Sequence, residues 1–292
     1  MTKLFQFVTW MWRFFFVAFL LALLSPAIYG ADASSPAPTP IQQGFASMYN
    51  LDFAAAHRDF DAWQKLHPED PMGPACHAAA YLFTEFARLG VLESQLFTDD
   101  KRFDHRQKLS PDPQVKNVIN AELDRADSLA ARALAKDAND ANAQFAKVLS
   151  LGLRSDYAAL VEKRNLAAIR YTKQGRALAE QLLKQNPNVY DAYLAVGVEN
   201  YLSGIEPAPI RWMMAAGGVE TDKTQGIHDL ELTAAHGDLL APFARLLLAV
   251  AALRDKEPAK ACSILSELSS QYPQNPLYRR EFSQNRCRAE RL

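Results

Sequence analysis

Residues 258–276 read PAKACSILSELSSQYPQNP. Ala261, Leu265 and Leu268 are spaced four and three residues apart, which places them on one face of a helix, and Pro273 then ends that helix. A short helix with such an apolar stripe must be covered by neighbouring helices. The stretch therefore predicts one half of a helical hairpin that stacks on others like it.

The same spacing occurs four more times along the chain. In each case a small residue is followed at +4 and +7 by residues on its own helix face, and at +12 by a breaker or turn residue. The wide intervals between the sets predict insertions, chiefly 98–113 and 203–222. The four sets are Ala56, Phe60, Trp63, Pro68; Ala126, Ala130, Ala133, Ala138; Gly175, Ala179, Leu182, Pro187; and Gly226, Leu230, Thr233, Asp238.

One further motif, Tyr193-x2-Val196-Gly197-x2-Asn200, is similar to the W-x2-L-G-x2-Y start of a tetratricopeptide repeat (TPR). With the five spaced sets, it makes residues 41–290 resemble the TPR superfamily. The resemblance implies an all-α, right-handed α-solenoid of TPR-like helical hairpins with insertions. It also implies a long curved surface for binding another molecule, lined by the first helix of each hairpin.

The C-terminal half also resembles, in part, the family named for yeast inclusion-body clearance, which is implicated with lipid droplets and outer mitochondrial membranes. The N-terminus departs from that family, so no function is carried over. The matching segments are Pro209-x2-Trp212, Gly217-Gly218, Gly226, Ala241-Pro242-x2-Arg245-Leu246-Leu247-Leu248 and Tyr272-Pro273-x-Asn275-Pro276.

The N-terminus has the pattern of a targeting segment. Lys3 and Arg13 supply positive charge, and 14–24 is apolar throughout. Cleavage after Ala27 or Ala33 gives a periplasmic or secreted protein. Alternatively, Leu4 to Tyr29 is an uncleaved inner-membrane anchor that carries a periplasmic domain. We therefore divide the chain into a signal peptide or anchor at 1–30, a Pro-rich linker at 31–43 and a TPR-like α-solenoid at 44–292.

Charge and cysteine content narrow the class of partner and the compartment. The net charge is −1, and this lack of a basic excess argues against nucleic acid as a partner. Antiparallel helices at 258–271 and 275–290 would place Cys262 and Cys287 at the same level on either side of the turn. An exported protein can oxidise that pair to a disulfide; two packed thiols are the alternative. Cys76 is expected to be a packed thiol.

No motif for catalysis, a cofactor or a metal is present. The chain lacks G-x-S-x-G, H-E-x-x-H, a phosphate loop and C-x-x-C. His57 and His67, like His228 and His236, are not spaced to share a metal, so we expect them on helix surfaces. The charged run 99–106 lacks the alternating acids and glycine of a calcium loop, and a solvated loop is expected instead.

A ligand site is predicted on the first helices of two hairpins, which are rich in apolar residues. The helix Leu240 to Arg254 is apolar nearly all round, so it must be covered on both sides. The cover is either the insertion around Trp212 or an apolar ligand. The predicted ligand-binding residues are Leu194, Val198, Tyr201, Trp212, Phe243, Leu246 and Val250.

Three functions follow from these patterns. The first is an exported, non-enzymatic scaffold or adaptor that binds a protein or peptide in the cell envelope, without a cofactor. The second is a carrier or sensor of an apolar, lipid-like small molecule in the solenoid groove. The third is an enzyme, which the lack of a nucleophile and base pair disfavours.

Overall fold

The structure, a computed structural model, describes residues 37–92, 109–205, 222–284 and Cys287. These residues form eleven α-helices and no strand. They include a π-helical turn at Tyr157–Val161 and a 3-10 turn at Tyr190–Ala192. The helices are α1 Pro40–Tyr49, α2 Phe53–Leu66, α3 Met72–Leu89, α4 Pro113–Lys136, α5 Ala141–Asp156, α6 Asn165–Gln185, α7 Tyr193–Ile205, α8 Lys223–His236, α9 Ala241–Arg254, α10 Pro258–Gln271 and α11 Pro276–Gln284.

Consecutive helices pack in pairs, which confirms the predicted all-α solenoid of TPR-like hairpins. The pairs are α1–α2, α3–α4, α5–α6, α7–α8 and α9–α10, and α11 packs on the last of them. The five spaced sets lie on the second helix of each pair. Their first two positions are buried in every case, because this face packs against the partner helix.

The first helix begins earlier than the predicted domain boundary. Thr39 caps α1 by accepting from the Gln42 backbone N–H, while the Gln42 side chain accepts from the Thr39 N–H. Residues 40–43 of the predicted linker are therefore helical. The predicted signal peptide or anchor at 1–30 lies outside the described residues. Within the described ranges, no helix has the length and apolar character needed to cross a membrane.

Helices α7 and α8 approach each other through two glycines. A Cβ on Gly226 would collide with the backbone nitrogen of Tyr201 and lie 2.9 Å from the Gly197 carbonyl oxygen. A Cβ on Gly197 would lie 3.0 Å from both the Gly226 oxygen and the Leu230 nitrogen. The contact thus requires glycine on both helices.

The stack of hairpins closes on itself, because the first hairpin contacts the last. Tyr49 at the end of α1 donates its hydroxyl proton to the Leu239 carbonyl oxygen at 2.9 Å. Asn275 Nδ2 donates to the Tyr49 carbonyl oxygen at 2.8 Å, and the rings of Tyr49 and Tyr272 lie 5.3 Å apart. The end of α1 therefore binds the loops that precede α9 and α11.

Helix α3 lies inside the closed stack and reaches α9. The N-terminal half of α3, from Met72 to Ala80, is buried throughout. Phe83 of α3 meets Phe243 of α9 edge to face, with ring centroids 6.1 Å apart. The chain's own helices thus supply a cover for α9 that the sequence analysis did not consider. The insertion around Trp212 lies outside the described residues.

The three cysteines occupy two environments. Cys262 on α10 and Cys287 are joined as a disulfide, with Cα atoms 5.5 Å apart. Cys76 on α3 is fully buried, and burial raises the pKa of its thiol well above the ordinary value.

The glycine contact between α7 and α8 predicts opposite effects at two helical glycines. Gly226→Ala should lower the free energy of unfolding by about 2–3 kcal/mol, because the new methyl group meets rigid backbone. Gly152→Ala, where no atom lies within 4 Å, should raise it by about 0.5–1 kcal/mol. Denaturant unfolding of both variants checks this. Equal effects would show that α7 and α8 do not cross at Gly226.

The disulfide predicts one free thiol in unreduced, denatured protein and three after reduction. Reduction should lower the free energy of unfolding by about 3 kcal/mol, because the bond closes a loop with a sequence separation of 25 residues. Thiol titration before and after reduction measures the first effect, and thermal unfolding measures the second. Three thiols before reduction would contradict the bond.

Candidate binding groove

A surface groove of about 490 Å³ runs across three consecutive helices, and we call it the α6–α8 groove. Helices α6 and α8, the second helices of adjacent hairpins, form its walls, and α7 forms its floor. It is lined by Arg176, Glu180, Leu183 and Lys184 of α6, Tyr193, Val196 and Asn200 of α7, and Asp222, Gln225 and Asp229 at and within α8.

The close crossing of α7 and α8 sets the floor of the groove. Because Gly197 and Gly226 bring the two backbones together, Asn200 and Asp229 meet side by side. Asn200 Nδ2 lies 3.5 Å from Asp229 Oδ2, and Gln225 Nε2 donates to Asp229 Oδ1 at 2.8 Å. Two amides therefore hold this carboxylate at the bottom of the groove.

Carboxylates outnumber the cations that neutralise them at this site. Arg176 bonds Glu180 at 2.7 Å and lies 3.9 Å from Glu199, but no cation lies within ion-pair distance of Asp229 among the described residues. Burial is the main cause that raises the pKa of Asp229 and of Glu199. Glu199 Oε2 is buried and finds no hydrogen-bond donor in the described part of the chain. Glu199 is not among the residues that line the groove. The lining itself carries three carboxylates, Glu180, Asp222 and Asp229, against two cations, Arg176 and Lys184.

A second polar cluster joins α2, α3 and α4 around two histidines. His77 Nδ1 lies 3.0 Å from Gln64 Nε2 and 3.4 Å from Glu122 Oε1, and the rings of His57 and His77 are 5.0 Å apart. His57 is half-buried, contrary to the expected surface position, and burial together with His77 lowers its pKa. The other three histidines that we expected on helix surfaces, His67, His228 and His236, are exposed.

The histidine cluster does not form a metal site. Among the described residues, no group of three or more His, Cys, Asp or Glu side chains could hold a metal ion.

The predicted ligand-binding residues lie mainly within packed clusters. Leu194 and Val198 pack against Leu230, Ala234, Ala244 and Leu248. Phe243 and Leu246 pack against the main core, and Tyr201 and Val250 are buried. Trp212 lies outside the described residues. A ligand role for these side chains stays a prediction.

The floor of the groove carries three of the four residues of the repeat-start motif, for which no ligand role was predicted. These three residues, Tyr193, Val196 and Asn200, lie on the side of α7 that faces away from the predicted ligand residues Leu194, Val198 and Tyr201. Arg176, Glu180 and Asp229 were not predicted. They sit on second helices, whereas the resemblance assigns the binding surface to first helices.

Comparisons with known proteins return a distant structural similarity. No family model matches the chain, and no curated protein matches it. A crystal structure of a thermophilic TPR protein from Thermus thermophilus is 15% identical. It covers 85% of this chain and 98% of its own, with a TM-score of 0.44.

The buried carboxylate of Asp229 predicts a pH-dependent effect of its replacement. Because burial raises the pKa of Asp229, ionising it costs more in the folded than in the unfolded chain. Asp229→Asn should therefore raise the Tm at about pH 7. The gain should vanish near pH 3, where the carboxyl is protonated in both states.

Thermal unfolding across this pH range measures the effect. Glu267→Gln, at an exposed carboxylate of α10, is the matched control and should leave the Tm unchanged at both pH values. A gain for Asp229→Asn that persists at low pH would contradict the electrostatic cause.

Proposed function

We propose that this chain is an exported, non-enzymatic TPR-like scaffold that binds a protein or peptide segment in the α6–α8 groove, within the cell envelope. The observation that carries the proposal is the groove itself. It crosses three helices of successive hairpins, and its lining carries three carboxylates against two cations. An extended peptide can donate to these carboxylates through its backbone N–H groups or a cationic side chain.

The composition of the groove supports a binding function over a catalytic one. Its lining contains no His, Cys or Ser, so neither a Ser–His nor a Cys–His pair can be placed there. It also supports a polar partner. Seven of the ten lining residues carry a charged or amide side chain, whereas a carrier of apolar molecules needs an apolar wall.

Export is supported by two features outside the groove. The apolar run 14–24 follows two basic residues, as a secretion signal does. The disulfide between Cys262 and Cys287 suits an oxidising compartment. A periplasmic or secreted location, with membrane anchoring through 4–29 as the alternative, is therefore part of the proposal.

Site-directed photo-crosslinking in cells tests the proposed groove. Tyr193 is replaced by benzoylphenylalanine, which places the reactive ketone on the groove floor. Discrete adducts with envelope proteins are expected on irradiation. Adding Asn200→Ala and Asp229→Asn should reduce them at least about tenfold, because central polar contacts of an interface dominate its affinity.

The control places the same crosslinker at Glu267, an exposed position on α10. Adducts of equal identity and yield at both positions, or adducts that survive the two groove substitutions, would reject the groove as the binding site. Adducts confined to cytoplasmic proteins would reject export.

A further inference from the structure

The start of α6 exposes apolar side chains that nothing in the described structure covers. Leu166 is 86% exposed and Ile169 is 52% exposed. They are two of only five large hydrophobic residues exposed among the described residues, and they lie three positions apart on one helix face. Such a pair on a helix face marks a contact surface more strongly than single scattered residues do.

Basic residues surround this apolar pair. Lys163, Arg164, Arg170 and Lys173 are all exposed. A shallow depression of about 610 Å³ at this point is lined by Lys163, Arg164, Asn165, Leu166, Ala167 and Arg170, with no carboxylate among them. We call Lys163, Arg164, Leu166, Ile169, Arg170 and Lys173 the α6 basic patch.

The nearest acidic residue in the sequence is shared with a cation outside the patch. Glu162 bonds Lys116 of α4 at 2.5 Å and lies 3.4 Å from Arg164 of the patch. The lining of the depression carries three cations and no carboxylate. Since the whole chain has a net charge of −1, the excess of positive charge here is local. The patch therefore attracts an anionic surface.

Local packing forces these side chains outward. The π-helical turn Tyr157–Val161 and the left-handed Lys163, with φ 56, redirect the chain before α6 starts. Ala167 and Ala168 then pack against Ala158. Because this small-residue face is buried, the opposite face that carries Leu166 and Ile169 points to solvent.

We propose that the α6 basic patch docks on the surface of an anionic lipid bilayer. Leu166 and Ile169 enter the headgroup region, while the lysines and arginines bind lipid phosphates. Exposed aliphatic residues flanked by Lys and Arg are typical of interfacial membrane contacts. A protein partner is less favoured, because the patch carries no Trp, Phe or Met, and Tyr171 beside it is the nearest aromatic residue.

The N-terminal sequence determines how the folded domain would reach a bilayer. If 4–29 is retained as an anchor, the short spacer before α1 keeps the folded domain next to the bilayer. If it is cleaved, the patch alone mediates the contact. The inference concerns a surface distinct from the α6–α8 groove and does not depend on the function proposed for that groove.

The position of a fluorescent label relative to the lipid tests the inference on the full chain. The Leu166→Cys variant is labelled with nitrobenzoxadiazole in the absence of reductant. The label then reacts with the introduced thiol, because Cys76 is buried and the other two cysteines form a disulfide. The label should shift to the blue and be quenched by spin-labelled lipid in phosphatidylcholine vesicles with about 30% phosphatidylglycerol. With vesicles of phosphatidylcholine alone, the label should keep the emission that it has in water, because the cations of the patch need anionic lipid.

Two controls distinguish membrane contact through the patch from membrane attachment through the N-terminal segment. Leu66→Cys, at a position 69% exposed on α2, should stay aqueous in both vesicles although the same segment tethers it. Replacing Lys163, Arg170 and Lys173 by Gln should weaken insertion of the Leu166 label about a hundredfold, at about fivefold per charge. These surface changes should leave the circular dichroism spectrum unchanged.

Four results would overturn the proposal. The Leu166 label could remain aqueous in both vesicles. It could insert equally with and without phosphatidylglycerol, or insert as strongly after the three Gln substitutions. It could also become buried without lipid as protein concentration rises, which would show that a second copy of the chain covers the patch.

Discussion

The hydroxyl of Tyr49 bonds the first hairpin to the loop before α9, and the packed interior depends on this closure. Both the Leu239 carbonyl and the Tyr49 carbonyl are acceptors in buried bonds. Losing either donor would leave a desolvated acceptor, which costs about 1–3 kcal/mol. An open stack would expose its inner helix faces, whereas closure joins them in one core that includes residues of α1, α3, α5 and α7. The surface that an open solenoid presents to a ligand is here part of the hydrophobic core.

Asp191 positions the loop that Tyr49 binds. Its carboxylate accepts from the backbone N–H groups of Asp238, Leu239 and Leu240 at 3.2, 3.0 and 2.9 Å. Burial raises the pKa of Asp191, while these donors oppose the shift. Gly237 is required beside it, since a Cβ there would lie 2.5 Å from Asp191 Oδ1. The groove that we propose as a binding surface lies elsewhere, where α6 and α8 flank α7.

The repeat pattern predicted the fold because burial within a hairpin is a local property. Leu265 and Leu268 are buried by the partner helix of their own pair, so helix spacing alone reveals them. Closure is not local: the Tyr49–Leu239 bond joins residues 190 positions apart, and no periodicity encodes it. The groove could not be predicted from the sequence for a related reason. Its charges come from three helices, and each of Arg176, Asn200 and Asp229 looks like an ordinary surface residue until α6, α7 and α8 are brought together.

Helix α6 contributes to both surfaces for which we propose a partner. Leu166 and Ile169 lie in its first two turns, and Arg176 and Glu180 lie further along on the groove side. Fourteen residues separate Leu166 from Glu180, which corresponds to about 21 Å along a helix axis. Docking of the patch would therefore keep the groove within about that distance of the lipid contact. A partner that is itself attached to the membrane would then meet the groove at a raised effective concentration, and a modest affinity would suffice.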